Sequence, residues 1–270
     1  MVEDGREVPI GVDARIPSIA RMYDYYLGGK DNFAADRAAA DTLLAAAPEI
    51  ATIARENRAF LGRAVRYLAG EAGIRQFLDI GTGLPTRNNV HHVAQEQAPD
   101  SRVVYVDNDA VVLAHARALL AKDPRTVVVH ADLLGAQPVT DLPEVRAHLD
   151  FDRPIALLLV AILHFVSDDD RPFEVVARLR DALPPGSHIA VSHVVYEHNP
   201  AAIEQAEEVY RGFLHRSGHA RRTREDVLGF FDGCELVDPG LTYVTQWRPD
   251  RPTRPGPERV WIVGGVARTP

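Results

Sequence analysis

The chain has 270 residues, 46% of them hydrophobic, which is enough for one large core with an elaboration. A formal net charge of −8 opposes broad binding to phosphate backbones or anionic lipid, so neither nucleic acid nor a membrane surface is expected as a partner. Cys234 is the single cysteine, which excludes an intrachain disulfide and a cysteine metal site and fits a reducing cytoplasm.

The opening MVEDGREVPIGVDAR lacks the basic-then-apolar order of a signal peptide, and no apolar run approaches the roughly 20 residues a membrane helix needs, so the expectation is a soluble protein. Residues 1–73 carry helical spacing of apolar positions in ADRAAADTLLAAA and ARENRAFLGRAVRYLAGEAG and are read as a helical N-terminal extension. From residue 74 the texture changes. QFLDI, RVVYVD, TVVVHAD, IALLLVAIL and HIAVSHVV alternate with helix-like segments, the signature of βαβ units and a parallel sheet covered on both faces. LTYVTQW and RVWIVGGVA are two more strand candidates, joined by RPDRPTRPGPE as a surface loop. LPPGS at 183–187 reads as a turn, and Thr223 with Asp226 as a capping box. The expectation for 74–270 is a single α/β domain, forming one structural unit with 1–73.

FLDIGTGLPTRNN, residues 77–89, places a glycine-rich turn after a strand. Such a turn lets a ligand approach the backbone, and Pro85 suits the first position of a following helix. Thr86 stands where G-x-G-x-x-G needs its last glycine, which disfavours a dinucleotide. Asp79 before the turn would repel a pyrophosphate and favour an ammonium group. Asp107 follows the next strand, placed to accept from ribose hydroxyls, and Asp132 follows the strand after that, placed to accept from the exocyclic amine of adenine. Aspartate is also a common turn residue after strands. In register on successive strands, the three acids describe the parts of S-adenosylmethionine.

DARIPSIARMYDYYLGGKDNFAADR at 13–37, FLDIGTGLPTRNN at 77–89, VVYVDND at 103–109 and ALLLVAILHFV at 156–166 resemble the actinobacterial S-adenosyl methyltransferase family once catalogued as a domain of unknown function, within the class I S-adenosylmethionine-dependent methyltransferases. The resemblance covers nearly the whole chain. It implies a Rossmann-like seven-stranded sheet whose last strand is antiparallel, with a helical N-terminal cap, and Pro85 in place of the third glycine of G-x-G-x-G. It also implies Asp79, Gly81 and Gly83 around the methionine portion, Asp107 on the ribose and Asn108 beside the adenine. Asp132 and Leu133 would lie at the far edge of the ring, and backbone of Val160 and Ala161 at the amino group.

The same resemblance favours a lid in the N-terminal block. There Tyr23 and Tyr26 would pack over the cofactor, Gly28 and Gly29 would reverse the chain, and Asp31 or Asn32 would reach the ligand; the other reading is a helix ending at the glycines. His164, after the fourth strand, is the best candidate base, with packing beside Phe165 the alternative. His91, His92, His193 and His198 lack a ligand pattern, so no metal is expected. Arg221, Arg222 and Arg224 read as a solvated face, and the helix over 201–218, with Tyr210 and Phe213, as either a wall of the acceptor site or core. The function expected is methyl transfer from S-adenosylmethionine to a small-molecule acceptor. The alternatives are a non-catalytic S-adenosylmethionine-binding regulator and, behind it, an NAD-dependent oxidoreductase.

Overall fold

Three helices precede the first long strand: α1 (Ile19–Tyr26), α2 (Ala34–Ala46) and α3 (Ile50–Gly70). The computed structural model describes residues 2–3, 6–7, 12–85, 88–120, 123–195, 200–211, 220–252 and 256–270. The expectations placed on Thr86, His198, Phe213 and the side chain of Tyr210 lie outside what it describes. Met22 and Tyr26 of α1, Ala40 and Leu43 of α2 and Ala54 of α3 form a small core of their own. Asp36 holds the turn before α2. It is fully buried, and its carboxylate accepts from Ser18 N at 2.9 Å, Phe33 N at 2.7 Å and Arg21 Nε at 2.7 Å, so the buried charge is paired and hydrogen-bonded as burial demands.

The sheet is built from β1 (Gln76–Ile80), β2 (Arg102–Asp107), β3 (Thr126–His130), β4 (Ala156–Val160), β5 (His188–Val194), β6 (Glu235–Leu236), β7 (Thr242–Tyr243) and β8 (Ile262–Arg268). Its order is β3-β2-β1-β4-β5-β8-β6, with β7 also on β8. The first five strands are mutually parallel, and β8 runs antiparallel to β5. The sixth position of the expected seven is thus shared by two short segments. LTYVTQW supplies two strand residues, then turns at Val244–Gln246.

Every residue of β1, β4 and β5 is buried, as a parallel sheet covered on both faces requires. Side chains alternate between two cores: Phe77, Val103 and Leu158 pack with Phe60 and Leu68 of α3, whereas Leu78, Val104 and Leu157 pack with Val176 and Leu179 of α7 (Pro172–Asp181). The Phe60 ring lies 2.8 Å from where a Cβ on Gly264 would sit, so this glycine lets α3 close onto β8.

Between β1 and β2 lies α4 (Val90–Gln97), and α5 (Ala110–Leu120) follows β2. Pro85 does not start α4, contrary to the sequence reading. Gly81, Gly83 and Asn88 all take positive φ, which draws out the turn, and the helix begins after its N-cap, Asn89. The turn at LPPGS and the Thr223–Asp226 capping box, the latter opening α9 (Arg224–Leu228), are both present, with α6 (Pro143–His148) and α8 (Pro200–Arg211) completing the helices. Among the described residues no helix is long and apolar enough to cross a membrane.

Candidate functional site

A cavity of about 630 Å³ opens at the carboxyl edge of β1 to β4, beneath α1 and α3. In open α/β sheets this edge, at the point where the strand order reverses, is where ligands sit. Asp79, Gly81 and Gly83 reach it from the end of β1, Asp107 and Asn108 from β2, Asp132 and Leu133 from β3, and Val160, Ala161 and His164 from β4. Tyr23 and Tyr26 line it from α1.

The carboxylates are held in place by backbone. Asp107 Oδ2 accepts from Gly83 N at 2.9 Å and Oδ1 from Asp109 N at 2.9 Å, so the acid after β2 shapes the glycine turn after β1. Asp132 Oδ1 accepts from Leu134 N at 2.9 Å, and Asn108 Nδ2 lies 3.4 Å from Asp132 Oδ2. Burial raises the Asp107 carboxyl above its usual range, opposed by those backbone donors. Asp79 is only 5% exposed, and burial pushes its pKa up to about 7 against the pull of the Arg58 charge. The two glycines differ in what they permit. Gly81 has φ 74°, and a Cβ there would lie 2.3 Å from Ile162 Cδ1; Gly83 has φ 66° and faces open space.

One hydrogen-bond chain joins the sheet edge to the helical cap. Ala161, with φ 58°, donates to Ser192 Oγ at 2.9 Å; Ser192 Oγ donates to Asn57 Oδ1 at 2.6 Å; Asn57 Nδ2 donates to Tyr23 OH at 3.1 Å; and Tyr23 OH donates to Ala54 O at 2.9 Å. A second tie closes the adjacent side, where Ser18 Oγ donates to Asp109 Oδ2 at 2.5 Å.

Gly28, Gly29, Asp31 and Asn32 are not brought into the cavity. They form the reversal between α1 and α2. Gly28 takes φ 78°, Asp24 Oδ2 accepts from Asp31 N at 2.8 Å and from Asn32 Nδ2 at 2.9 Å, and Gly29 lies so close that a Cβ would stand 1.9 Å from Asp24 Oδ1. The Asp31 amide and the Asn32 side chain are turned toward Asp24 because that carboxylate is buried and has to be satisfied.

His164 sits in the 3-10 turn Leu163–Phe165, 5% exposed, its ring 4.2 Å from that of Phe165 and 5.6 Å from that of His193. The turn is clasped from the segment before α9. Arg222 NH1 donates to Leu163 O at 2.8 Å and NH2 to Val166 O at 3.0 Å, while Ala220 N donates to His164 O at 2.9 Å. Arg222 is 2% exposed, which corrects its reading as solvated: the two carbonyls and Asp168 Oδ1, at 2.6 Å, pair the charge inside the fold. Arg222 NH1 also lies 3.1 Å from His193 Nε2; a guanidinium only donates, so His193 carries its proton on Nδ1, toward Val194 O at 2.6 Å. His91 is buried beside Tyr105, its Nδ1 2.8 Å from the hydroxyl, and burial followed by the neighbouring His92 pushes its pKa down to about 4.

The cavity also takes in Asn57, Arg58, Ser18, Asp109 and Trp261, which the motif reading passes over. For α3 a signal is present. Ile50, Ile53, Ala54, Asn57, Arg58 and Leu61 recur at three- and four-residue steps and all line the cavity, so two polar residues interrupt an otherwise apolar face.

A sequence model described as S-adenosyl methyltransferase matches residues 6–270. The chain is similar to a protein from Thermobifida fusca YX whose crystal structure is described as that of a "putative methyltransferase", with 47% identity and a TM-score of 0.90 over 97% of this chain and 98% of that one. It is also similar to a DUF574 family protein from Streptomyces avermitilis MA-4680, with 44% identity and a TM-score of 0.90 over 96% of this chain and 99% of that one. Comparison with curated proteins gave no match.

Proposed function

The chain belongs to the S-adenosyl methyltransferase family, and we propose that it moves the methyl group of S-adenosylmethionine to a small-molecule acceptor held in the same cavity. The observation that carries this reading is the convergence of Asp79, Asp107 and Asp132, from three adjacent strand ends, on one cavity beneath α1 and α3. The donor set suits the cofactor. Asp107 accepts from the ribose diol, Asp79 from the ammonium, and Asp132 with Asn108 meets the adenine edge. Gly83 presents backbone to open space, where a side chain would obstruct a ligand.

S-adenosylmethionine supplies a methyl carbon on a sulfonium leaving group, so the protein's tasks are placement, exclusion of water and, for a protic acceptor, removal of a proton. Tyr23, held between Ala54 O and Asn57, fixes α1 over the cavity and excludes water. His164, on a turn clasped by Arg222 and Ala220, is the group at the cavity wall that takes the proton. The apolar part of the lining, which includes Ile50, Ile53, Phe165, Val194 and Trp261, suits a compact apolar acceptor.

Calorimetric titration with S-adenosylmethionine, S-adenosylhomocysteine and NAD tests the reading. Saturable binding of the two sulfur ligands without NAD is expected and opens an acceptor screen with labelled methyl donor. Binding of NAD alone would overturn it, and sulfur-ligand binding with no turnover on any apolar acceptor would favour a regulatory role.

A further inference from the structure

Arg58 is the one Arg or Lys among the described residues lining the cavity. It is half-buried on the cavity-facing stripe of α3, and among the described residues its guanidinium makes one hydrogen bond, NH2 to Asn89 Oδ1 at 2.8 Å. Its Nε is buried with no hydrogen-bond partner among the described residues. A guanidinium has five N–H donors in a planar fork, and a charge drawn out of water is costly unless a counter-ion meets it. The Arg58 charge reaches Asp79, whose carboxyl it holds down against the effect of burial, and it also acts on Tyr23 and Tyr105. It therefore stands at the β1 end of the cavity with terminal N–H donors left over, among the described residues, to meet an anion.

The methionine end of the cofactor carries both an ammonium and a carboxylate. Asp79 satisfies only the first, and every other charged carboxyl around the cavity, Asp107, Asp109 and Asp132, repels the second. We infer that Arg58 is the carboxylate-binding residue of the cofactor site, so that Asp79 and Arg58 together read the amino-acid zwitterion. The assignment rests on the methyltransferase reading above. Asn89, the N-cap of α4, holds one edge of the guanidinium and leaves the rest of the fork for a planar oxyanion, the geometry in which arginine outperforms lysine.

The test is a two-by-two comparison by calorimetry: wild type and Arg58→Met, each titrated with S-adenosylhomocysteine and with its decarboxylated analogue, which keeps the ammonium and lacks the carboxylate. Wild type should bind S-adenosylhomocysteine roughly tenfold to a hundredfold more tightly than the analogue, and Arg58→Met should bind the two alike. Equal discrimination in both proteins overturns the assignment, as does a wild type indifferent to the carboxylate. Should Arg58→Met fail to fold, Arg58→Gln carries the same comparison. A wild type that binds neither ligand overturns the cofactor reading itself and the assignment with it, whereas equally tight binding of both ligands overturns only Arg58.

Discussion

Ser192 Oγ on β5 donates to Asn57 Oδ1 on α3 at 2.6 Å, a buried bond between residues 135 apart in sequence that fastens the helical cap to the sheet edge. Removing one partner leaves the amide oxygen of Asn57 buried and unsatisfied, which costs more than the bond itself contributes. Ser192→Ala should lower unfolding free energy by about 1–3 kcal/mol in urea titration. An unchanged midpoint would mean that the cap is held by its apolar contacts alone.

Asp107 has two duties that a single substitution separates poorly, since the carboxylate that would meet the ribose also holds Gly83 N and Asp109 N. Asp107→Ala should weaken S-adenosylhomocysteine binding by roughly a hundredfold, and Asp107→Asn, which keeps one acceptor oxygen, by about tenfold. Circular dichroism should show both folded. Wild-type affinity in a folded Asp107→Ala protein would remove the ribose assignment.

The α1–α2 reversal separates turn building from ligand contact. Gly28 has φ 78°, yet a Cβ there would meet nothing within 4 Å, so Gly28→Ala should cost about 1 kcal/mol of backbone strain. Gly29→Ala would place a methyl against the Asp24 carboxylate and evict it from Asp31 N and Asn32, so the loss should exceed about 2 kcal/mol. If Gly29→Ala kept full thermal stability yet abolished cofactor binding, this segment would be contacting the ligand after all.

What the sequence discloses follows the range of the forces involved. Buried parallel strands announce themselves because both faces are apolar, and the acids at their carboxyl ends fall into register once the strands are counted. The start of α4 is not legible because proline reports only its own φ, whereas the positive φ of Asn88 and the cap at Asn89 decide where the turn ends. Arg222 reads as solvated because its partners Leu163 O and Val166 O lie 59 and 56 residues away, and nothing in a run of arginines reveals that. Arg58 is hidden in the opposite way: its helical stripe is legible, but a polar residue on a buried face becomes a site residue only when the cavity beneath it is seen.

Asp79 ties cofactor affinity to pH. Its carboxyl is raised from 3.8 to about 7, first by burial. A folded pKa above the unfolded one means that the group's contribution to stability is complete below about pH 4 and is lost as pH rises through 7. The ligand-free protein should therefore lose stability across that window, and Asp79→Asn should lose less. Ligand binding runs the other way. An ammonium requires the ionised carboxylate, so S-adenosylhomocysteine affinity should climb with pH, by at most about tenfold per unit, and level off above 7. A flat affinity profile in wild type, matching that of Asp79→Asn, would take Asp79 away from the ammonium.

The charge balance of the cavity constrains the acceptor. If Arg58 is committed to the cofactor, no other Arg or Lys among the described lining residues is left to neutralise an anionic acceptor, while the lining carries four aspartates, three of them assigned to the cofactor. A panel of neutral or cationic apolar amines and phenols, screened with labelled S-adenosylmethionine, should yield the methylated products, and their carboxylated or phosphorylated counterparts should yield none. With a protic acceptor in hand, His164→Gln should lower kcat by roughly a hundredfold or more with little change in KM and should flatten the acid limb of the pH–rate profile, because the imidazole must be neutral to take a proton. A His164→Gln enzyme with an unaltered profile would leave His164 as part of the wall beside Phe165, with placement of the acceptor accounting for the rate.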